Sequence, residues 1–129
     1  MTGIRRRPAL SGAVPSPAAL LTVEISTPRV DTVVVAGWGE IDDATAPRLR
    51  AELALALRSA PRLLVVDLAE VWFLGSAGLN ALTIIRDTLP GGTRLRIVAS
   101  GRATRRVFEL AGLGEVFDLY PTRDAALSG

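Results

Sequence analysis

The apolar positions along this chain follow two different periods, and these periods predict where strands and helices lie. Three segments have the alternation or the β-branched composition of strands. These segments are 20–25, 31–39 and 93–99. Three further segments have the apolar spacing or the flanking signals of helices. These segments are 44–59, 76–89 and 102–111. Segment 62–68 is apolar at almost every position, which is typical of a central strand covered by helices.

Prolines and polar residues mark the ends of these elements. Pro28 is expected to end the first strand, and the polar stretch 40–43 is expected to form a turn after the second. Asp42 is a candidate N-terminal cap for the first helix, and Pro47 fits its first turn because the missing N–H has no helical partner there. A short last strand and a final helical turn are predicted at 115–119 and 122–127.

The resulting order, β-β-α-β-α-β-α-(β)-α, predicts an α/β fold. Strands separated by single helices pair in parallel, whereas the two opening strands form an antiparallel hairpin. We therefore predict a mixed sheet of four or five strands with about four helices. A chain of 129 residues fits a single domain, assigned to residues 20–127. Residues 1–19, which are rich in arginine and proline, are expected to form a flexible N-terminal tail.

Composition narrows the possible chemistry. The chain has no Cys, which excludes disulfides and thiolate metal sites. It also has no His, which is the commonest general base and the commonest metal ligand. We therefore predict that the protein is not an enzyme and carries neither a metal nor a cofactor.

Charge argues against nucleic-acid binding. The formal net charge is +2, but Arg5, Arg6 and Arg7 lie together in the predicted tail. Removing these three from the 15 basic residues leaves 12 arginines against 13 acidic residues, so the domain is close to neutral. No apolar run approaches the roughly 18 residues of a membrane span. The expected setting is the cytoplasm, without direct contact to nucleic acid or to a membrane.

Two motifs lie near the ends of predicted strands. The first is Gly39-Glu40-Ile41-Asp42, and the second runs from Val66-Asp67-Leu68 to Phe73-Leu74-Gly75-Ser76-Ala77-Gly78-Leu79. At this separation they resemble the motifs of the STAS domain and, within it, of the bacterial anti-sigma factor antagonists. Segment 105–113 resembles, less strongly, the helix near the end of that fold. The resemblance covers about residues 20–127 and implies that the helices pack mainly on one face of the sheet.

The resemblance implies a regulatory protein that binds an anti-sigma factor of the serine-kinase type, an ATPase, and so frees a sigma factor for transcription. In the family, the partner phosphorylates the hydroxyl residue just before a Gly-Leu pair, and the modified protein dissociates. A phosphoserine adds about −1.5 to −2 charges, which an interface formed around a hydroxyl would have to bury. The implied partner-binding residues are Gly39, Glu40, Ile41, Asp42, Gly75, Ser76, Ala77, Gly78 and Leu79.

This chain departs from the family at the modified position. Ala77, which has no hydroxyl, stands where the family has its acceptor, and Gly75 stands where the family has Asp. Three roles stay open for Ser76: a cap of the second helix, a displaced phosphorylation site, or an unmodified contact with the partner. Gly75 is interpreted as a turn residue, since turns of this kind often need a positive φ.

Other polar and aromatic residues have structural interpretations. Asp67 is expected to end its strand where loop N–H groups satisfy it. Trp72 and Phe73 are expected to pack in the core or at the sheet edge, because no basic cluster accompanies them. The arginines within 102–106 form either a solvated face or a patch for an acidic partner.

Two further functions stay open. One is a nucleotide-sensing or small-molecule-sensing STAS module that holds a phosphate at the start of the second helix. The other is a regulatory scaffold without a kinase partner. The sequence leaves the oligomeric state open.

Overall fold

The computed structural model describes residues 4–6 and 20–129. Within these ranges the strands form one sheet in the order β1-β2-β3-β4-β5-β6. The strands are β1 (Ile4–Arg6), β2 (Leu21–Arg29), β3 (Thr32–Ile41), β4 (Leu63–Leu74), β5 (Arg94–Val98) and β6 (Leu119–Tyr120). The helices are α1 (Ala46–Leu57), α2 (Ser76–Asp87), α3 (Arg102–Leu110) and α4 (Arg123–Ser128). The predicted order of elements is confirmed, with β1 added before it.

The sheet is mixed, as predicted. β2 pairs antiparallel with both β1 and β3, and every later pair is parallel. β1 lies inside the segment predicted to be a flexible tail, where Ile4–Arg6 instead extends the sheet. The rest of residues 1–19 lies outside the described residues, so the domain boundary at residue 20 stays a prediction.

Most of the helical surface packs on one face of the sheet, which confirms the predicted architecture. Leu53 of α1, Leu82 of α2 and Phe108 of α3 are fully buried in one apolar cluster with the strands. A smaller cluster on the other face joins Ala126 of α4 to β3, β4 and β5. The strand residues of this second cluster are Val34, Val65 and Val98.

Two strands extend further than predicted. β2 continues through Pro28 to Arg29, because an irregularity in its register after Ser26 accommodates a residue that has no N–H. β3 runs to Ile41 through residues that were expected to form a turn. The cause is the length of β4, which continues beside β3 as far as Leu74.

The strand β4 has two differently paired halves within its 12 residues. The first half pairs with both β3 and β5, as far as Asp67 opposite Val98. The second half pairs with β3 alone. α3 lies along its other edge, where the Thr104 hydroxyl donates a hydrogen bond to the Val71 carbonyl at 3.1 Å. The second half was not predicted as strand.

Asp67 lies within β4, so the prediction that it ends the strand is wrong. Its Oδ2 accepts a hydrogen bond from Arg123 Nε at 2.8 Å, and its Oδ1 accepts one from the Ala69 N–H at 2.9 Å. Since a buried carboxylate is tolerated only with such partners, this ion pair ties α4 to the sheet. The role of Asp67 is structural.

Candidate functional site

The two sequence motifs meet at the carboxyl ends of β3 and β4. These strands run parallel, with Ile41 opposite Leu74. Directly after β4, the Gly75 N–H donates a hydrogen bond to the Ile41 carbonyl at 2.8 Å. The stretches 39–42 and 75–79 therefore form one continuous feature, which we call the rim.

Two glycines fix the backbone of the rim. Gly39 has a φ of 121°, and a side chain there would overlap the Leu20 carbonyl oxygen. Gly78 lies in the first turn of α2, where an added Cβ would stand 2.5 Å from Leu74 Cδ1 and 2.6 Å from Ile41 Cγ2. α2 therefore packs directly on the strand ends, closer than a side chain would allow.

Asp42 organises the turn between β3 and α1. Its Oδ1 accepts hydrogen bonds from the N–H groups of Ala44 at 2.9 Å and Thr45 at 3.0 Å. In return, the Asp42 N–H donates to Thr45 Oγ1 at 2.9 Å, which is the reciprocal pattern of a capping box. Asp42 thus caps the turn that leads into α1, while Thr45 holds the N-cap position of the regular helix.

The side of the rim formed by β3 is acidic. Glu40 in the rim is half-buried, and Asp43, directly after the rim, is exposed. Neither carboxylate forms an ion pair with any residue that the structure describes. Both are therefore available to an Arg or Lys of a bound protein.

The start of α2 presents an unbonded hydroxyl. Gly75 is the N-cap residue, with φ −90° and ψ 179°, so the positive φ expected for it is wrong. Ser76 is exposed and is the first helical residue, one position too late to cap the helix. Its predicted capping role is therefore wrong, and its hydroxyl bonds to no residue in the described ranges. The N–H groups of the first turn are left without a side-chain cap.

The predicted partner-binding residues divide by exposure. Four of them are buried and support the rim from the interior: Gly39, Ile41, Gly78 and Leu79. Ala77 is half-buried, and its methyl group packs against the main core. Ser76 is the exposed residue of this set, and Glu40, Asp42 and Gly75 are half-buried like Ala77.

Two aromatic residues beside the rim were expected to pack in the core or at the sheet edge, and they lie at the edge, in the half of β4 that pairs with β3 alone, and not in the core. Trp72 is 68% exposed and Phe73 is 49% exposed. Gly39 pairs with Val71 but the next residue, Glu40, pairs with Phe73, so Trp72 has no partner in β3. This irregularity is a β-bulge, which redirects the side chains around it.

Comparison with known proteins identifies the family. The sequence profile of the STAS domain matches residues 24–126. The chain belongs to the STAS domain family. The predicted family and fold class are therefore confirmed.

Several proteins similar to this STAS domain are named anti-sigma factor antagonists. The anti-sigma-F factor antagonist RsfB of Mycobacterium tuberculosis is 38% identical over 91 residues, which cover 70% of this chain and 75% of RsfB. The crystal structure of an anti-sigma factor antagonist from Mycobacterium paratuberculosis is 39% identical, with a TM-score of 0.80 over 89% of this chain and 97% of that chain. Unphosphorylated SpoIIAA, 22% identical, shares the fold with a TM-score of 0.67 over 82% of this chain and 93% of its own.

Three other kinds of functional feature are relevant to the described part of this STAS domain: a basic patch, a metal site and a membrane-spanning helix. The three arginines within 102–106 are exposed on α3. Within residues 4–6 and 20–129, no three carboxylates cluster in a way that could hold a metal ion. No helix in these ranges is long and apolar enough to cross a membrane.

Proposed function

We propose that this protein is an anti-sigma factor antagonist: its rim binds an anti-sigma factor, and a sigma factor is thereby released to direct transcription. The observation that carries the proposal is the hydrogen bond from Gly75 to Ile41, which joins both motifs into one accessible surface. The similarity to RsfB, which is named an anti-sigma-F factor antagonist, supports the same assignment. The protein would act in the cytoplasm by stoichiometric binding and would catalyse no reaction.

The partner we propose is an anti-sigma factor of the serine-kinase type. Ala77 cannot accept a phosphoryl group, because its side chain has no oxygen. Ser76 is the hydroxyl residue of the rim, and it stands exposed at the first position of α2. A phosphate on Ser76 would lie beside the uncapped N–H groups of the helix, which favour an anion. The fold would therefore tolerate the modification.

Phosphorylation of Ser76 would weaken binding. A phosphoryl group is much larger than the hydroxyl proton that it replaces, and it brings about −1.5 to −2 charges. A dianion in the centre of a contact must lose its water, and desolvation of an ion costs several kcal/mol. In the absence of a kinase that recognises Ser76, binding would be constitutive.

Calorimetric titration against the anti-sigma factors of the same genome tests this function. The unmodified chain should bind one of them, and Ser76→Asp should bind it about tenfold more weakly, since a hydrated carboxylate replaces a small hydroxyl in the contact. Ser59→Asp is the matched control, because Ser59 is exposed after the end of α1, away from the rim. Incubation with the partner and ATP, followed by mass spectrometry, shows whether Ser76 is modified.

The outcomes separate the function from its regulation. If the unmodified chain binds no anti-sigma factor, the proposed function is wrong. If Ser76→Asp and Ser59→Asp bind equally well, Ser76 lies outside the interface. If the partner transfers no phosphoryl group to Ser76, regulation of binding by the partner's own kinase activity is wrong.

A further inference from the structure

Next to the rim, the outer face of the sheet lacks a covering helix among the residues that the structure describes. α4 covers this face through Ala126, which packs on the cluster that contains Val34 and Val65. Side chains alternate along a strand, so Trp38 and Glu40 of β3 lie on the same face as Val34, closer to the rim. No element in the described ranges packs over this part of the face as α4 does over the other.

Large apolar side chains are exposed in this region. Trp72 and Phe73 are 68% and 49% exposed, because the bulge in β4 directs them away from the core. α3 contacts the edge of the same strand through Thr104 without burying either ring. An exposed apolar patch bordered by polar residues marks an interaction surface.

Unpaired carboxylates border these aromatic rings. Glu70 precedes Trp72 by two residues and is exposed, and Glu40 lies opposite Phe73. Neither carboxylate forms an ion pair with another described residue. The arrangement is complementary to an apolar groove bordered by Arg or Lys, since a cation can pair with the carboxylates and also stack on an indole.

We propose that Trp72 and Phe73 are the apolar anchors for the anti-sigma factor, and that Glu40 and Glu70 pair with Arg or Lys residues of that partner. The inference rests on the proposed function. The anchors are continuous with the rim, because a Cβ on Gly75 would stand only 3.3 Å from the Phe73 ring. A partner that contacts the start of α2 therefore also reaches the aromatic rings.

Substitution of Trp72 tests the proposal. Trp72→Ala should weaken binding of the anti-sigma factor about 30-fold or more, as for a central aromatic anchor. Val30→Ala is the control, because Val30 is 89% exposed in the turn between β2 and β3, at the end of the sheet away from the rim. This control should change the dissociation constant by less than about threefold. Circular dichroism should show that both variants remain folded.

Fluorescence supplies a second readout that does not depend on a loss of binding. The chain has two tryptophans, so Trp38→Phe leaves Trp72 as the single reporter. Its emission should shift to shorter wavelength when the anti-sigma factor covers the exposed indole. Glu70→Gln should weaken binding less than Trp72→Ala does, and it should make binding less sensitive to salt.

Each result decides between the inference and its competitors. If the wild-type chain binds but Trp72→Ala binds equally tightly and the emission does not shift, the inference is wrong and the proposed function stands. If the wild-type chain does not bind, the proposed function fails first. If the free protein self-associates and Trp72→Ala abolishes this, the patch serves a second copy of the chain and the inference is overturned.

Discussion

The two halves of β4 belong to one strand, but the first half lies in the core and the second half lies at the proposed binding surface. From Leu64 to Asp67 the strand is paired on both sides and buried throughout. From residue 69 to residue 74 it pairs with β3 alone, contains a bulge and exposes Trp72. Since the same strand passes from the core into the rim, the core holds the binding surface in place. Substitutions in the first half should therefore change stability, and those in the second half should change binding.

Leu64→Ala should cause the largest loss of stability. Leu64 is fully buried between β3 and β5, and a Leu-to-Ala change in a core costs about 2–5 kcal/mol of unfolding free energy. Equilibrium unfolding in urea measures this loss. The folded fraction should still bind the anti-sigma factor. Trp72→Ala is the control in the same strand, with an expected change within about 0.5 kcal/mol. Equal losses for the two variants would contradict the division of β4 into a stabilising half and a binding half.

Gly78→Ala should have an intermediate effect, at the junction of the two halves. The new methyl group would press on the buried side chains of Leu74 and Ile41, and overpacking costs about 1–3 kcal/mol. The better helix propensity of Ala returns at most about 1 kcal/mol. Urea unfolding measures the net change, and calorimetry should show weaker binding because α2 has to move. Gly91→Ala is the control, since no atom lies within 4 Å of its added Cβ. If Gly78→Ala is as stable as the wild type, the close packing of Gly78 on Leu74 and Ile41 does not fix the position of α2 at the rim.

The order of elements and the meeting of the two motifs were predictable from the sequence. Periodicity identifies strands and helices, and the ends of neighbouring parallel strands lie at one edge of a sheet. The stretches 39–42 and 75–79 therefore had to be close together once β3 and β4 were adjacent. Asp42 was predictable as a cap, because its hydrogen bonds reach only to residues 44 and 45.

What the sequence did not predict depends on contacts between distant segments. The exposure of Trp72 follows from a bulge that exists only in the register between β3 and β4. The partner of Asp67 is Arg123, which lies 56 residues further along the chain. A capping role was one of three left open for Ser76, because a hydroxyl residue precedes the helical pattern. The cap is instead Gly75, because the end of β4 and the hydrogen bond to Ile41 set where α2 begins.

Gly75→Asp should have the smallest effect on stability, but it should change how tightly the anti-sigma factor binds at the rim. The φ of −90° at Gly75 suits any residue, and its added Cβ would stand 3.3 Å from the exposed ring of Phe73, which can move. An Asp at an N-cap position is only a few tenths of a kcal/mol better than Gly, so thermal unfolding should change little. If the partner surface is basic, the added carboxylate should tighten binding a few-fold at low salt and less at high salt.

A matched control for Gly75→Asp exists at the start of α3. Gly101 is also an N-cap residue in extended conformation, and it lies outside the rim, so Gly101→Asp adds the same charge at the start of a different helix. Tighter binding by Gly75→Asp alone would locate the basic side of the partner at the rim. Weaker binding by Gly75→Asp, together with weaker binding by Ser76→Asp, would mean that the partner rejects any negative charge there. The pairing proposed for Glu40 would then be wrong, because Glu40 belongs to the same rim.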